Sequence, residues 1–374
     1  MKYCPSTRSG PIHVKPCFVV GTRPEIVKMS PIIKECDRRG LDYFLVHTGQ
    51  HYTPYMSGSF FGDFGLREPD VNLNIGSGTH SEQTAKALVG IEKELLVRTP
   101  SVVVVQGDTN AVLSAALAAV KLRIPLAHVE AGLRSYDKRM PEEYNRRLTD
   151  HASDFLFAPT EHSAETLRHE NVMGEIFVTG NTVIDAIETS LPAARKRKSP
   201  LDGVKRGGFV LLTLHRAENV DDKPTLEGLI RGLLSLRTRI IFPTHPRTVG
   251  RLREFGLLDL LGSASQIQMV EPVGYLDFLY LMDMCSYVIT DSGGIQEEVT
   301  APSINKRVFV LRLSTERPEA VESGHATVVG VNPEVFPKMI RDVLASGQLG
   351  TRPCPFGSGD ASQKILGILQ HKLA

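Results

Sequence analysis

No stretch of this 374-residue chain approaches the roughly 18 consecutive apolar residues needed to cross a bilayer, so no transmembrane helix is expected. The five cysteines (Cys4, Cys17, Cys36, Cys285, Cys354) are odd in number and widely spaced, with no C-x-x-C. That pattern indicates neither a disulfide framework nor a zinc site, and reduced thiols in a cytoplasmic protein are the expectation. The stretch Met1–Pro16 carries Lys2, Arg8 and Lys15 but no apolar segment, so it is read as a loose leader rather than a secretory signal. A net charge of +1 gives the surface as a whole no pull toward nucleic acid or anionic membrane. A G-x-G-x-x-G after the first strand is absent, which argues against a tightly held NAD. No H-E-x-x-H, metal-ligand cluster or nucleophilic triad is visible either.

What remains is an ordinary globular composition, 41% hydrophobic and 23% charged, in a chain long enough for two domains. Short apolar runs alternate with helical stretches. Strands are expected at Cys17–Gly21, Tyr43–His47, Ser101–Gln106, Pro125–Val129 and Phe155–Ala158. A second series follows at Phe209–Leu214, Arg239–Phe242, Ile267–Val270, Tyr287–Thr290 and Arg307–Val310. Continuous apolar strands between helices mean parallel sheets covered on both faces. Between the two series the chain turns basic and then glycine-rich, from Ala194 to Gly208. The run Arg195–Lys198 is read as a solvated helix end and linker. The fold class is therefore α/β, with two doubly wound halves, 1–186 and 187–359. Ligands in such sheets sit at the carboxyl ends of the strands, and with two halves the site is expected in the cleft between them.

Polar residues gather where strands end. Tyr287-Val-Ile-Thr-Asp-Ser-Gly-Gly-Ile-Gln-Glu-Glu298 reads as a buried strand that breaks at Asp291 and restarts as a helix at Gly293. Ser292, Gly293 and Gly294 would offer unpaired N–H groups to a diphosphate, and Glu297 or Glu298 could reach ribose hydroxyls. An ordinary N-cap, with Ser292 capping and Gln296 or Glu297 closing a capping box, accounts for the same residues. Gly21-Thr-Arg-Pro-Glu-Ile-Val-Lys28 puts Arg23 and Lys28 near a helix entrance, where they suit a phosphate or serve as a solvated cap. Asp108, in Gln106-Gly-Asp-Thr-Asn110, is equally an N-cap or a site acid. Glu130 directly follows an apolar strand, and Arg134 is spaced to pair with it. Glu142 and Glu143 open a helix after Pro141, and one of them is expected to be structural. In the second half His215 and Arg216 lie just beyond a strand, His245 ends the next one, and Ser314–Glu319, with Arg317, forms a charged loop. Carboxylates from one half with a diphosphate nest, a His and an Arg from the other fit a nucleoside diphosphate-sugar.

Seven motifs occur in order: Gly21-Thr-Arg-Pro-Glu25, Gln106-Gly-Asp-Thr109, His128-Val-Glu-Ala-Gly-Leu-Arg134, Pro141-Glu-Glu143, His215-Arg216, Asp291-Ser-Gly-Gly294 with Gln296-Glu-Glu298, and Thr315-Glu-Arg-Pro-Glu319. With them the chain resembles the non-hydrolysing UDP-N-acetylglucosamine 2-epimerases, in wording most like archaeal members. The resemblance implies a GT-B fold, with a C-terminal helix over 360–374 crossing back onto the first domain. It also implies interconversion of UDP-GlcNAc and UDP-ManNAc without NAD or metal, through elimination of UDP to a 2-acetamidoglucal and its re-addition. A homodimer is the assembly it suggests. Carried over motif by motif, Asp108, Glu130, Glu142 and His215 match catalytic residues. Arg23, Lys28, Ser292, Gly293 and Gly294 match diphosphate contacts, and Glu298 matches the ribose-binding Glu. Phe278 falls where the family's backbone holds uracil, and Arg134, Arg216, His245 and Arg317 complete the expected substrate-binding set. A sibling epimerase acting on UDP-2,3-diacetamido-glucuronate and a GT-B glycosyltransferase are the competing functions. Two departures stand out. The segment between Glu130 and Glu142 is shorter than in many bacterial members. Gln50-His51 matches the start of a motif implicated in binding a second, activating UDP-GlcNAc, but Tyr52-Thr-Pro-Tyr-Met56 differs, so that activation is not carried over.

Overall fold

A computed structural model describes residues 14–49, 61–262, 264–347 and 349–374. The Gln50-His51 motif and most of the N-terminal leader lie outside these residues. The chain divides into two compact units. One runs up to Thr182 and takes back Asp360–Ala374, and the other is Val183–Gly359.

The first unit is built on a seven-stranded sheet. Its strands are β1 (Pro16–Val20), β2 (Phe44–His47), β3 (Val71–Asn72), β4 (Val102–Gln106), β5 (Leu126–Val129), β6 (Phe155–Ala158) and β7 (Glu175–Val178). Their order is β3-β2-β1-β4-β5-β6-β7, and every pairing is parallel. Central strands have no polar face because helices cover both sides. Val102 to Val105 are all 0% exposed, and each such valine stabilises the fold by about 1.5–3 kcal/mol. Helix Arg23–Arg39 starts on Pro24, whose missing N–H is no loss in a first turn, and stops at Gly40, whose φ of +64° lets its N–H return to the Asp37 and Cys36 carbonyls. The last helix, Ala361–Leu373, packs on that helix, with Ile365, Leu366 and Leu369 at 0% exposure and Gln370 accepting from Arg39 at 2.6 Å.

The second unit has a six-stranded sheet, also parallel throughout: β8 (Val210–Thr213), β9 (Ile240–Pro243), β10 (Ile267–Val270), β11 (Val288–Thr290), β12 (Val308–Val310) and β13 (Ala326–Val328), in the order β10-β9-β8-β11-β12-β13. Its core is aliphatic with a few rings, such as Tyr287 edge-on to Phe309 at 5.3 Å. Each unit is thus a doubly wound Rossmann-like domain, the two-domain α/β class called GT-B.

Three strands go beyond those expected from the sequence: β3, β7 and β13. All are at sheet edges, where water replaces one neighbour and a continuous apolar run is not required. Strand order reverses direction at β1/β4 in the first sheet and at β8/β11 in the second. Loops leaving the carboxyl ends of these four strands diverge and leave a crevice at each switch point. Among the described residues no helix is long and apolar enough to cross a membrane.

Candidate active site

At the first switch point the acids are held by specific partners. Glu130 follows β5 in a left-handed conformation, φ +67°, which a side chain larger than glycine adopts only when its surroundings compel it. Lys28 Nζ donates to both its oxygens at 2.7 and 2.6 Å, and Gln106 Nε2 donates to it as well. The Lys28 and Glu130 side chains are only 11% and 5% exposed, so this is an internal pair. Its cation is therefore Lys28, not Arg134. Arg134 is buried and donates to Asp150 at 2.7 Å and, in two bonds, to Glu170 at 3.1 and 2.8 Å. Burial opposes its charge, but the Glu170 and Asp150 carboxylates outweigh that and hold its pKa above the usual range. Arg134, expected in the substrate-binding set, is thus held by these two acids.

Asp108 sits in the turn after β4, made possible by Gly107 at φ +82°. It does not cap the following helix: Thr109 is the N-cap there, and no side-chain bond caps it. Instead Arg146 Nη2 donates to Asp108 and Asn145 Nδ2 to the Asp108 carbonyl. Both donors come from helix Pro141–Ala152, so the β4 and β5 loops and that helix form one cluster. The two glutamates opening the helix separate cleanly. Glu143 is 3% exposed and accepts from Ser135 N, Ser135 Oγ and Tyr136 N at 2.9–3.2 Å. Glu142 is half-buried and makes no hydrogen bond or ion pair among the described residues, which leaves its carboxylate for something else. Arg23 is half-buried at the start of its helix. Beside it lies a group that the sequence did not flag as a site residue: Glu25, 2% exposed, accepting from Gly21 N at 2.5 Å and Thr22 Oγ1 at 3.2 Å.

At the second switch point Asp291 is the hub. It is fully buried and accepts from the backbone N–H of His215 and Arg216 and from Asn219 Nδ2, at 2.9–3.2 Å. A buried carboxylate with three donors fixes the β8 loop in place, so His215 and Arg216 are presented by a rigid backbone. The His215 ring lies 6.0 Å from that of His245, whose Nδ1 is occupied by Arg247 N as an N-cap. Burial first, then His215 and Arg247, press the His245 pKa down. Helix Gly293–Glu298 begins with Ser292 in an extended N-cap conformation but with no side-chain cap, so no capping box forms. The Ser292 N–H is committed to Thr290 Oγ1 at 2.9 Å, which narrows the expected nest to the amides that follow it. A Cβ on Gly294 would meet nothing within 4 Å, and one on Gly293 would come within 3.7 Å of Arg216 Nη2 and 3.8 Å of Glu316 Oε2, so a ligand can approach this backbone beside a cation and its neighbouring carboxylate. Glu297 is fully buried and paired with Arg317, which is itself 7% exposed. Glu298 is half-buried. Phe278 is half-buried in helix Tyr275–Met284, and its N–H is spent on the Gly274 carbonyl at 2.9 Å.

Among the described residues no group of three or more His, Cys, Asp and Glu is placed to hold a metal ion. Acids with shielded, fixed partners on one unit and an open helix N-terminus with an Arg and two His on the other are suited to moving protons on a sugar and holding a diphosphate.

Comparison with known proteins agrees with this chemistry. The sequence profile of the family described as UDP-N-acetylglucosamine 2-epimerase matches residues 34–370. A UDP-N-acetylglucosamine 2-epimerase of Methanocaldococcus jannaschii is 47% identical, over 96% of this chain and 99% of its own. A crystal structure of the enzyme from that organism, in complex with UDP-GlcNAc and UDP, superimposes with a TM-score of 0.87, covering 96% of this chain and 100% of that one at 46% identity. The UDP-2,3-diacetamido-2,3-dideoxy-D-glucuronate 2-epimerase of Pseudomonas aeruginosa is 38% identical over 93% of this chain and 97% of its own. With a profile spanning nine-tenths of its length and a relative of this identity, the chain belongs to the UDP-N-acetylglucosamine 2-epimerase family.

Proposed function

We propose that this protein interconverts UDP-N-acetylglucosamine and UDP-N-acetylmannosamine by eliminating UDP across C1–C2 and adding it back with the opposite configuration at C2. The proton on C2 is not adjacent to a carbonyl, so it becomes acidic only as the anomeric C–O bond breaks. The reaction therefore needs carboxylates that stabilise positive charge at C1 and move the C2 proton, and cations that keep UDP in place while it is detached. Asp108, Glu130 and Glu142 fill the first role. His215, Arg216 and the amides after Ser292 fill the second, with Arg23 and Lys28 as further cations and Glu298 on the ribose. Family membership supplies no direction for the proton, and the three acids share the assignment. The observation that carries the function is Glu130: an acid held in a left-handed conformation at a strand end and bonded by Lys28 and Gln106, a strain of the kind that gathers at functional sites. No NAD or metal is invoked, and a cytoplasmic homodimer is the setting that the family resemblance brings with it.

Incubation with UDP-GlcNAc in D2O, followed at C2 by NMR, tests this. Deuterium at C2 together with UDP-ManNAc supports it. Absence of exchange, or transfer of the sugar to an added acceptor, would sink it. Glu130→Gln and His215→Ala are each expected to lower turnover by about 100-fold while UDP still binds. UDP-2,3-diacetamido-2,3-dideoxyglucuronate as an alternative substrate separates the sibling activity.

A further inference from the structure

His128 is the third residue of β5, fully buried, and none of the catalytic assignments uses it. Its ring nitrogens both face oxygen. Nδ1 lies 2.7 Å from Asp150 Oδ1, and Nε2 lies 2.8 Å from the Gly107 carbonyl. A carbonyl cannot donate. Asp150 cannot readily do so either, because Arg134 and Gly132 N both donate to its other oxygen, at 2.7 and 3.3 Å. Burial opposes the charge of Asp150, yet His128 and Arg134 outweigh it and keep its carboxyl below the usual range. Both ring nitrogens therefore carry a hydrogen, and the ring donates in two directions at once.

The two directions lead to the two catalytic loops. Gly107 precedes Asp108 and turns with φ +82°, so its carbonyl sets how the next residue leaves the strand. Gly132 follows Glu130 by two residues, and the Asp150 bond to its N–H ties that turn to helix Pro141–Ala152. We propose that His128, locked in orientation by Asp150, is a positioning residue whose Nε2–H holds the Gly107 carbonyl and thereby fixes the bearing of Asp108 toward the sugar. The kinetic part of this inference rests on the function proposed above.

Asparagine and glutamine at position 128 divide the two bonds between them. An asparagine amide replaces Nδ1 and can keep the bond to Asp150, but it falls short of Gly107. A glutamine amide reaches the place of Nε2 and can keep the Gly107 bond without the one to Asp150. In the full-length protein, His128→Asn should lower kcat for UDP-GlcNAc by about 100-fold, the effect of an ångström of misplacement, with KM and UDP affinity little changed. His128→Gln should lose far less. Equal losses, or losses that follow the fall in melting temperature in both variants, would overturn the positioning role. The nitrogen-15 spectrum of histidine-labelled wild-type protein, assigned by the signal lost in His128→Asn, gives a test independent of turnover. Two N–H nitrogens on the His128 ring support the lock, and one bare nitrogen overturns it. Should the wild type show no exchange at C2, the proposed function fails while the spectrum still decides the lock.

Discussion

Replacing Glu25 by glutamine probes a buried acid in the first strand–helix turn. The carboxyl is 2% exposed, and its partners are Gly21 N and Thr22 Oγ1. Burial pushes its pKa up from 4.5 to about 7, against hydrogen bonds from Gly21 and Thr22 that favour the anion. Between those two pH values the folded chain keeps a proton on Glu25 that the unfolded chain has released. Stability from this group is therefore complete below pH 4.5 and declines as pH rises through 7. The gap amounts to about 3 kcal/mol across the window. Glutamine binds no proton and can still accept from Gly21 N, so Glu25→Gln lacks this decline. Urea unfolding of both proteins, followed by circular dichroism at half-unit steps of pH, should show them nearly equal in the acid range. The variant should then gain about 3 kcal/mol on the wild type by the alkaline end. Parallel stability curves would refute the reasoning, as would a carbon-13 titration placing the Glu25 carboxyl at its ordinary value.

Other substitutions discriminate more simply. Ser292→Ala should change unfolding free energy by less than about 0.5 kcal/mol, because no side-chain cap is lost; a weaker UDP affinity by calorimetry would assign its hydroxyl to the ligand. Glu142→Gln should leave the melting temperature in place and reduce turnover, whereas Glu143→Gln, which weakens bonds to Ser135 and Tyr136, should cost about 1–3 kcal/mol of stability. Gly132→Ala should cost about 3 kcal/mol or more, since φ is +86° and a Cβ would lie 2.3 Å from the Ser163 carbonyl oxygen; a normally stable variant would show that the turn can move.

Much of this protein was legible in its residues. The buried central strands announce themselves as apolar runs because both their faces are covered, and each ends in a polar loop because the chain meets water there. β7 illustrates what was hidden: Glu175 and Val178 at its ends are exposed, and an edge strand has no run to reveal it. The polar hubs were hidden for a different reason. Asp291 takes the N–H groups of residues 75 and 76 positions away, and Asp150 meets His128 across 22. A buried carboxylate is recognisable only by donors that folding delivers, and no local pattern names them.

Sequence alone determined the alternation of strand and helix, the loops that hold the acids and the family to which the chain belongs. Tertiary structure alone decided which of those charges are committed. Glu142 and Glu143 are chemically identical neighbours, yet successive residues of a helix point about 100° apart. Only the packing of the 135–136 backbone against one of these directions ties down Glu143 and leaves Glu142 available. Arg134 and Lys28 are a similar case: spacing offered Arg134 to Glu130, and the fold gave Arg134 to Asp150 and Glu170 and brought Lys28, 102 residues away in the sequence, to the acid at the end of β5.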